Sequence, residues 1–109
     1  MFASGLTPPY YAVIFTSLRK PGGDDYGPTA ERMVELAGTM SGYLGIESAR
    51  NADGVGITVS YWQDEESIRH WKAQLDHRAA QQRGKHEWYE HYELRVARVE
   101  RAYSGPAGR

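Results

Sequence analysis

At 109 residues the chain is long enough for one domain with one modest core, burying roughly 60–65% of the surface its unfolded form would expose. Thirteen Lys plus Arg against fourteen Asp plus Glu leave a formal charge of -1, so no positive excess draws the chain to nucleic acid or to a membrane surface. Cysteine is absent, which excludes a disulfide framework, a thiolate nucleophile, an iron-sulfur cluster and a Cys-rich zinc site, and suits a reducing cytoplasm.

The opening MFASGLTPPY has no basic stretch followed by an apolar run, and no segment approaches the ~20 apolar residues of a membrane span. A soluble, cytoplasmic protein without membrane partners is expected. Residues 10–18, YYAVIFTSL, are aromatic and β-branched and end at the breaker cluster PGGDDYG, which predicts a first strand. Tyr11, Val13 and Phe15 fall on one side of that strand, Ala12 and Ile14 on the other, and both sides require cover. Ala30, Met33, Val34 and Ala37 then follow helical spacing between the start signal Pro28-Thr29 and the stop Gly42, predicting a helix over 29–41.

Next, YLGIESARN and VGITVSYW flank Ala52, Asp53 and Gly54, a strong hairpin signal. Val55, Ile57, Val59 and Tyr61 share one parity of the second run. A second helix is predicted from near Asp64 to just before Gly84, with Asp64, Glu65 and Glu66 suited to its N-terminal dipole. KHEWYEHY reads as a short helical or turn-rich arm. YELRVARVERAY alternates Tyr92, Leu94 and Val96 and then changes parity to Val99 and Tyr103, which predicts a last strand with a bulge. SGPAGR is a frayed tail.

The order β-α-β-β-α-β predicts an α+β, ferredoxin-like domain over residues 1–109, with an ordered core of about 10–103: an antiparallel sheet with both helices on one face. Because the first strand is apolar on both sides, a second copy is expected to cover the other face, making a homodimer through the sheets.

Chemistry concentrates on the second helix, where Ile68, Trp71, Leu75 and Ala79 form a core stripe. His70, Gln74, His77 and Gln81 lie on the other side, and Trp71, Gln74, Arg78 and Gln81 form a shoulder that suits a mostly apolar pocket with a few polar groups. Each of these residues also has a plainer reading: Trp71 as packing, His70 as a solvated surface residue, Gln74 and Gln81 as helix formers. His77 is the candidate proton acceptor, since histidine titrates near neutral pH. On the helical wheel it stands about 120° from Trp71.

His70 and His77 are ~10.5 Å apart along the helix axis, too far for one ion with ~2 Å bonds, so no metal is expected. There is no HExxH, EF-hand loop, P-loop or GxSxG, and the GxG at Gly54 to Gly56 sits in a hairpin turn. Arg78, Arg83, Lys85, Arg95, Arg98 and Arg101 gather among aromatics but are interleaved with Glu87, Glu90, Glu93 and Glu100, and no RNP1 pattern is present. Ion pairs rather than RNA contacts are expected of them.

The run from Trp62 through Trp71, His77, Ala80, Gln81 and Gly84 to a strand ending in Arg101 and Tyr103 is similar to the C-terminal half of the antibiotic biosynthesis monooxygenase family. The likeness extends over roughly residues 10–103. It implies a dimeric α/β barrel, with a pocket between sheet and helices in each subunit. Characterised members oxidise anthrones or quinols with dioxygen and no metal or organic cofactor; others degrade haem.

The haem-degrading members carry an iron-ligating histidine ten positions after the tryptophan and an asparagine on the first strand. Gln81 stands ten positions after Trp71, and YYAVIFTSL has no asparagine, so no axial haem ligation and no cofactor are expected. In anthrone oxidation the resemblance places Trp71 on the family's pocket tryptophan, Ser67 on its asparagine and His91 near its pocket arginine. The resulting expectation is a cofactor-independent monooxygenase of a small electron-rich aromatic molecule. His77 and Trp71 are its catalytic candidates, and Gln74, Arg78, Gln81, Tyr61 and Phe15 its substrate contacts. The alternative is a dimeric ligand-binding or stress-response protein of the same fold without catalysis.

Overall fold

A computed structural model of the chain describes residues 2–19, 34–81 and 89–106, with 76–81 and 89 described by their backbone course alone. Four strands form one antiparallel sheet: β1 (Tyr10–Arg19), β2 (Tyr43–Arg50), β3 (Val55–Trp62) and β4 (Tyr89–Val99), in the order β2-β3-β1-β4. The helical stretch 34–38 is α1, and α2 is Glu65–Gln81. This is the ferredoxin-like arrangement expected from the pattern of breakers and apolar runs.

Register determines which side chains meet. Tyr11, Val13, Phe15 and Ser17 of β1 stand opposite Trp62, Ser60, Thr58 and Gly56 of β3, and opposite Arg98, Val96, Leu94 and Tyr92 of β4. Ile46, Ser48 and Arg50 of β2 continue the same rows from Ser60, Thr58 and Gly56, so four rows of side chains cross one face. The helices lie over one end of that face. Ile68 and Trp71 of α2 and Ala37 of α1 form the core with Val13 and Trp62, and Tyr11, Leu36, Met40, Tyr43 and Leu75 pack around it.

Local chemistry explains the joints. Gly42 has φ +86°, and a Cβ there would come within 2.7 Å of the Ser67 Cβ, so the chain needs glycine where it passes under the start of α2. Asp64 caps that helix: its Oδ1 accepts from the Ser67 backbone N–H at 2.8 Å and from the Ser67 hydroxyl at 2.7 Å. These two bonds, the side-chain one foremost, hold the Asp64 carboxyl below its ordinary value. In the β2–β3 hairpin, Asn51 Oδ1 accepts from the N–H groups of Asp53 and Val55, and Gly54 takes φ +93°.

Three expectations need correction. Val34 does not join the core stripe of the first helix: it is 42% exposed, while Leu36, Ala37 and Met40 face the sheet. Ala37 is buried in the core as expected, and Ala30 and Met33, with the expected helix start at 29–33, lie outside the described residues. β4 begins at Tyr89, so the last part of KHEWYEHY is strand, and residues 85–88 lie outside the described residues. The irregularity of β4 lies at its start, opposite Leu18 and Arg19, and not at Val99, which pairs in register with Tyr10. The change of parity at Val99 is a change of sheet face within a regular strand.

Candidate functional site

The helix-bearing face has two unlike ends. At the first, Trp62 is fully buried, and its indole stacks on Trp71 with centroids 5.8 Å apart and planes at 29°. The Trp62 Nε1–H donates to the Ser60 Oγ at 2.9 Å, which satisfies the one polar atom that burial would otherwise strand. Trp71 is 8% exposed and sits inside this packing. Tyr43 meets Trp62 edge-on at 5.6 Å, and burial raises its phenol above the ordinary value.

At the second end the same face is open. Tyr92 is 55%, Leu94 37% and Val96 48% exposed, on a side of the sheet that the helices cover elsewhere. Phe15 stands opposite Leu94, and its ring meets that of Tyr92 at 5.3 Å in a tilted contact. Here the sheet supplies an apolar and aromatic floor. Its polar fittings come from β2 and β3: the Ser48 and Thr58 hydroxyls share a hydrogen bond at 2.8 Å, and Arg50 lies across the last row.

Arg50 owes its position to a glycine. A Cβ on Gly56 would fall 2.5 Å from the Arg50 Cζ, so the guanidinium crosses β3 where no side chain stands. Its Nη1 donates to the Gly54 carbonyl, and its Nη2 to the Oγ of buried Ser17 on β1 at 2.9 Å. The head group therefore lies over β3 and reaches Ser17 of β1, in the row that ends at Tyr92.

The expected site residues divide across this geometry. Trp71 and Phe15 belong to the same sheet face, at its closed and open ends, and Gln74 is half-buried on α2. Tyr61 is on the opposite face, because adjacent strand residues point to opposite sides and Trp62 points to the helices. Its ring meets Tyr10 at 5.7 Å, and its hydroxyl donates to the Glu47 Oε1 at 2.7 Å. It cannot line a site with Trp71 in the same protomer. Burial first, then the bond to Glu47, pushes the Tyr61 phenol up to about 12, while that bond and the Ala3 N–H at 2.8 Å lower the Glu47 carboxyl. The side chains of His77, Arg78 and Gln81 lie outside the described residues.

The remaining polar candidates turn away from the floor. His70 is exposed, 3.8 Å from Glu66 one helical turn earlier. The Ser67 hydroxyl is engaged in the cap of α2. His91 is on the opposite face, 2.7 Å from Glu93. Arg98 pairs with Glu100 at 3.3 Å, the ion pairing expected of the basic residues on this strand. Among the described residues no group of three or more His, Asp or Glu comes together as a metal site would require. Sequence reasoning missed Arg50 and Ser17. Their signal was Gly56, a glycine inside a strand, which the Asp-Gly hairpin places directly opposite Arg50.

The strand order and the two helices on one face define a ferredoxin-like α+β protein. The chain belongs to the antibiotic biosynthesis monooxygenase family, whose model matches residues 9–83. It is 54% identical over 94 residues to the uncharacterized protein YqjZ of Bacillus subtilis, covering 86% of this chain and 82% of that one. It is 31% identical over 94 residues to the jasmonate monooxygenase ABM of Pyricularia oryzae, covering 82% of this chain but only 43% of that protein. The cofactor-independent oxygenase SnoaB from Streptomyces nogalater superposes with a TM-score of 0.70 at 13% identity, covering 87% of this chain and 97% of that one. At that identity the likeness is one of fold.

Proposed function

We infer that the protein is a cofactor-independent monooxygenase acting on a small, electron-rich aromatic molecule such as a quinol or an anthrone. The observation that carries this reading is the open aromatic floor of Phe15, Tyr92 and Leu94 on the helix-bearing face of a chain in this family. Such a substrate reacts with dioxygen once deprotonated, so the protein has to supply an apolar cavity, orientation and a proton acceptor. In this reading His77 takes the proton, Trp71 forms a wall, and Gln74, Arg78 and Gln81 orient the substrate oxygen above Phe15.

For an anthrone-like methylene the step balances without a further reductant. The carbanion gives one electron to dioxygen, the radical and superoxide combine to a hydroperoxide, and loss of water leaves a carbonyl, so CH2 plus O2 becomes C=O plus H2O. The reading includes a cytoplasmic homodimer. Ile14, Val59 and Ile57 put apolar side chains in the middle of the sheet face away from the helices, and Ile57 is 48% exposed, a surface that a second copy would bury. No described helix is long and apolar enough to cross a membrane.

A second reading, a ligand-binding protein of the same fold without catalysis, draws support from Trp71, which is packed against Trp62 and only 8% exposed. Dioxygen uptake with a panel of reduced quinols and anthrones, in the presence of a chelator, separates the two. The oxygenase reading expects uptake above the spontaneous rate, with a roughly 100-fold fall in folded His77→Ala. Uptake no faster than the spontaneous rate across the panel favours the binding protein. Equal uptake by His77→Ala removes His77 from the chemistry.

A further inference from the structure

β4 is a long strand at the edge of the sheet. Its 11 residues, Tyr89–Val99, pair with β1 on one side, and among the described residues no strand lies on the other. Residues 90–98 are exposed whichever face of the sheet they point to. Such an edge offers a row of backbone N–H and C=O groups to any other strand, and proteins usually blunt it with proline, a bulge or brevity. From His91 to Val99 the strand has no proline and stays in unbroken register with β1.

The order of side chains says which strand fits there. Laid antiparallel against a copy of itself with Leu94 opposite Leu94, β4 sets Glu93 opposite Arg95, Glu90 opposite Arg98 and Tyr92 opposite Val96, each pair occurring twice about the axis. Glu93 and Arg95 share the face away from the helices, and Glu90 and Arg98 share the helix-bearing one, so each charged pair meets on one side of the sheet. Within its own chain Glu93 also meets His91, and Arg98 meets Glu100, so the pairs across the axis extend these contacts into rows. Moving the axis by one residue in either direction would oppose Glu93 to Glu93 or Arg95 to Arg95, which like charge disfavours.

We propose that β4 pairs edge to edge with the β4 of a second copy, antiparallel and with Leu94 at the two-fold axis. The axis is normal to the sheet, so the helices of both copies lie on the same side. Backbone hydrogen bonds join the strands, and the charged pairs set the register. The homodimer of the oxygenase reading supplies only the identity of the partner, a second copy: that reading places its contact on the sheet faces, and this one on the strand edges.

Because the chain has no cysteine, Leu94→Cys and Ala97→Cys each carry a single thiol, and oxidation with diamide reports which positions meet their own copies. Self-pairing brings the two Cα atoms of residue 94 to ~4.5–5.5 Å, within the span of a disulfide, and keeps those of residue 97 ~20 Å apart. The expected result is a disulfide-linked dimer that forms roughly tenfold faster or more in Leu94→Cys than in Ala97→Cys. Charge reversal tests the register independently and decides the matter should Leu94→Cys fail to fold. Arg95→Glu should weaken the dimer roughly tenfold at low salt in sedimentation, and Glu93→Arg combined with Arg95→Glu should restore it. Equal cross-linking at the two positions, a dimer indifferent to Arg95→Glu, or a double variant no tighter than the single one each overturns the proposal. A wild type that sediments as a dimer without the residue 94 link overturns the edge pairing and leaves the face-to-face homodimer standing, whereas a monomer overturns both.

Discussion

The two ends of one sheet face show how a small domain divides its labour. Trp62 and Val13 hold the buried core with α1 and α2, whereas along β4 the same face carries exposed Tyr92, Leu94 and Val96. Both ends are aromatic, so composition does not distinguish them. What differs is exposure: Ile68, Trp71 and Ala37 pack with Val13 and Trp62, whereas Tyr92, Leu94 and Val96 of β4 are exposed. Aromatic side chains under a helix are structure, and the same side chains beyond it are a surface on which a ligand can lie.

Substitution tests this division. Trp62→Ala should cost about 3–5 kcal/mol, enough to unfold a marginal domain, because a fully buried indole leaves a large cavity. Leu94→Ala, on exposed β4, should cost about 1 kcal/mol or less in urea denaturation. Similar losses for the two would show that the open end is as much core as the closed one. Ser60→Ala sharpens the contrast within the closed end. It leaves the Trp62 Nε1–H buried without its acceptor and should cost about 1–3 kcal/mol. A fully neutral Ser60→Ala would mean that the indole finds another partner.

The opposite face offers a smaller, pH-dependent effect. Tyr61 in the folded chain titrates near 12 against an ordinary value of 10.0, so the folded state holds its proton more tightly than the unfolded one. The associated stability is complete below about pH 10 and is lost as pH rises toward 12. Glu47, lowered by its bond from Tyr61, has the reverse sign: its contribution is present above the ordinary carboxylate value and is lost on acidification. Tyr61→Phe should flatten the alkaline limb of a melting temperature against pH curve and reduce the acid limb as well. An unchanged alkaline limb would show that other groups carry it.

Much of the fold was legible in the chain. Alternation in VGITVSYW, the Asp-Gly turn and the helical stripe of Ile68, Trp71 and Leu75 fix strands, hairpin and helix by local stereochemistry, and the order of these elements fixes the ferredoxin-like plan. The site was legible only in part. Trp71 and Phe15 were found as apolar members of their elements, but parity alone did not say which side of β3 would be roofed, and Tyr61 was therefore placed with Trp71 although it faces away.

The sequence by itself determined the elements, their order and the charge balance, because these depend on residues near one another along the chain. Only the tertiary structure decided that the Arg50 guanidinium would cross Gly56 to Ser17, and that the Phe15 ring of β1 would meet the Tyr92 ring of β4. Those contacts join residues 33 positions apart in one case, and more widely separated strands in the other, through a register that no local pattern specifies.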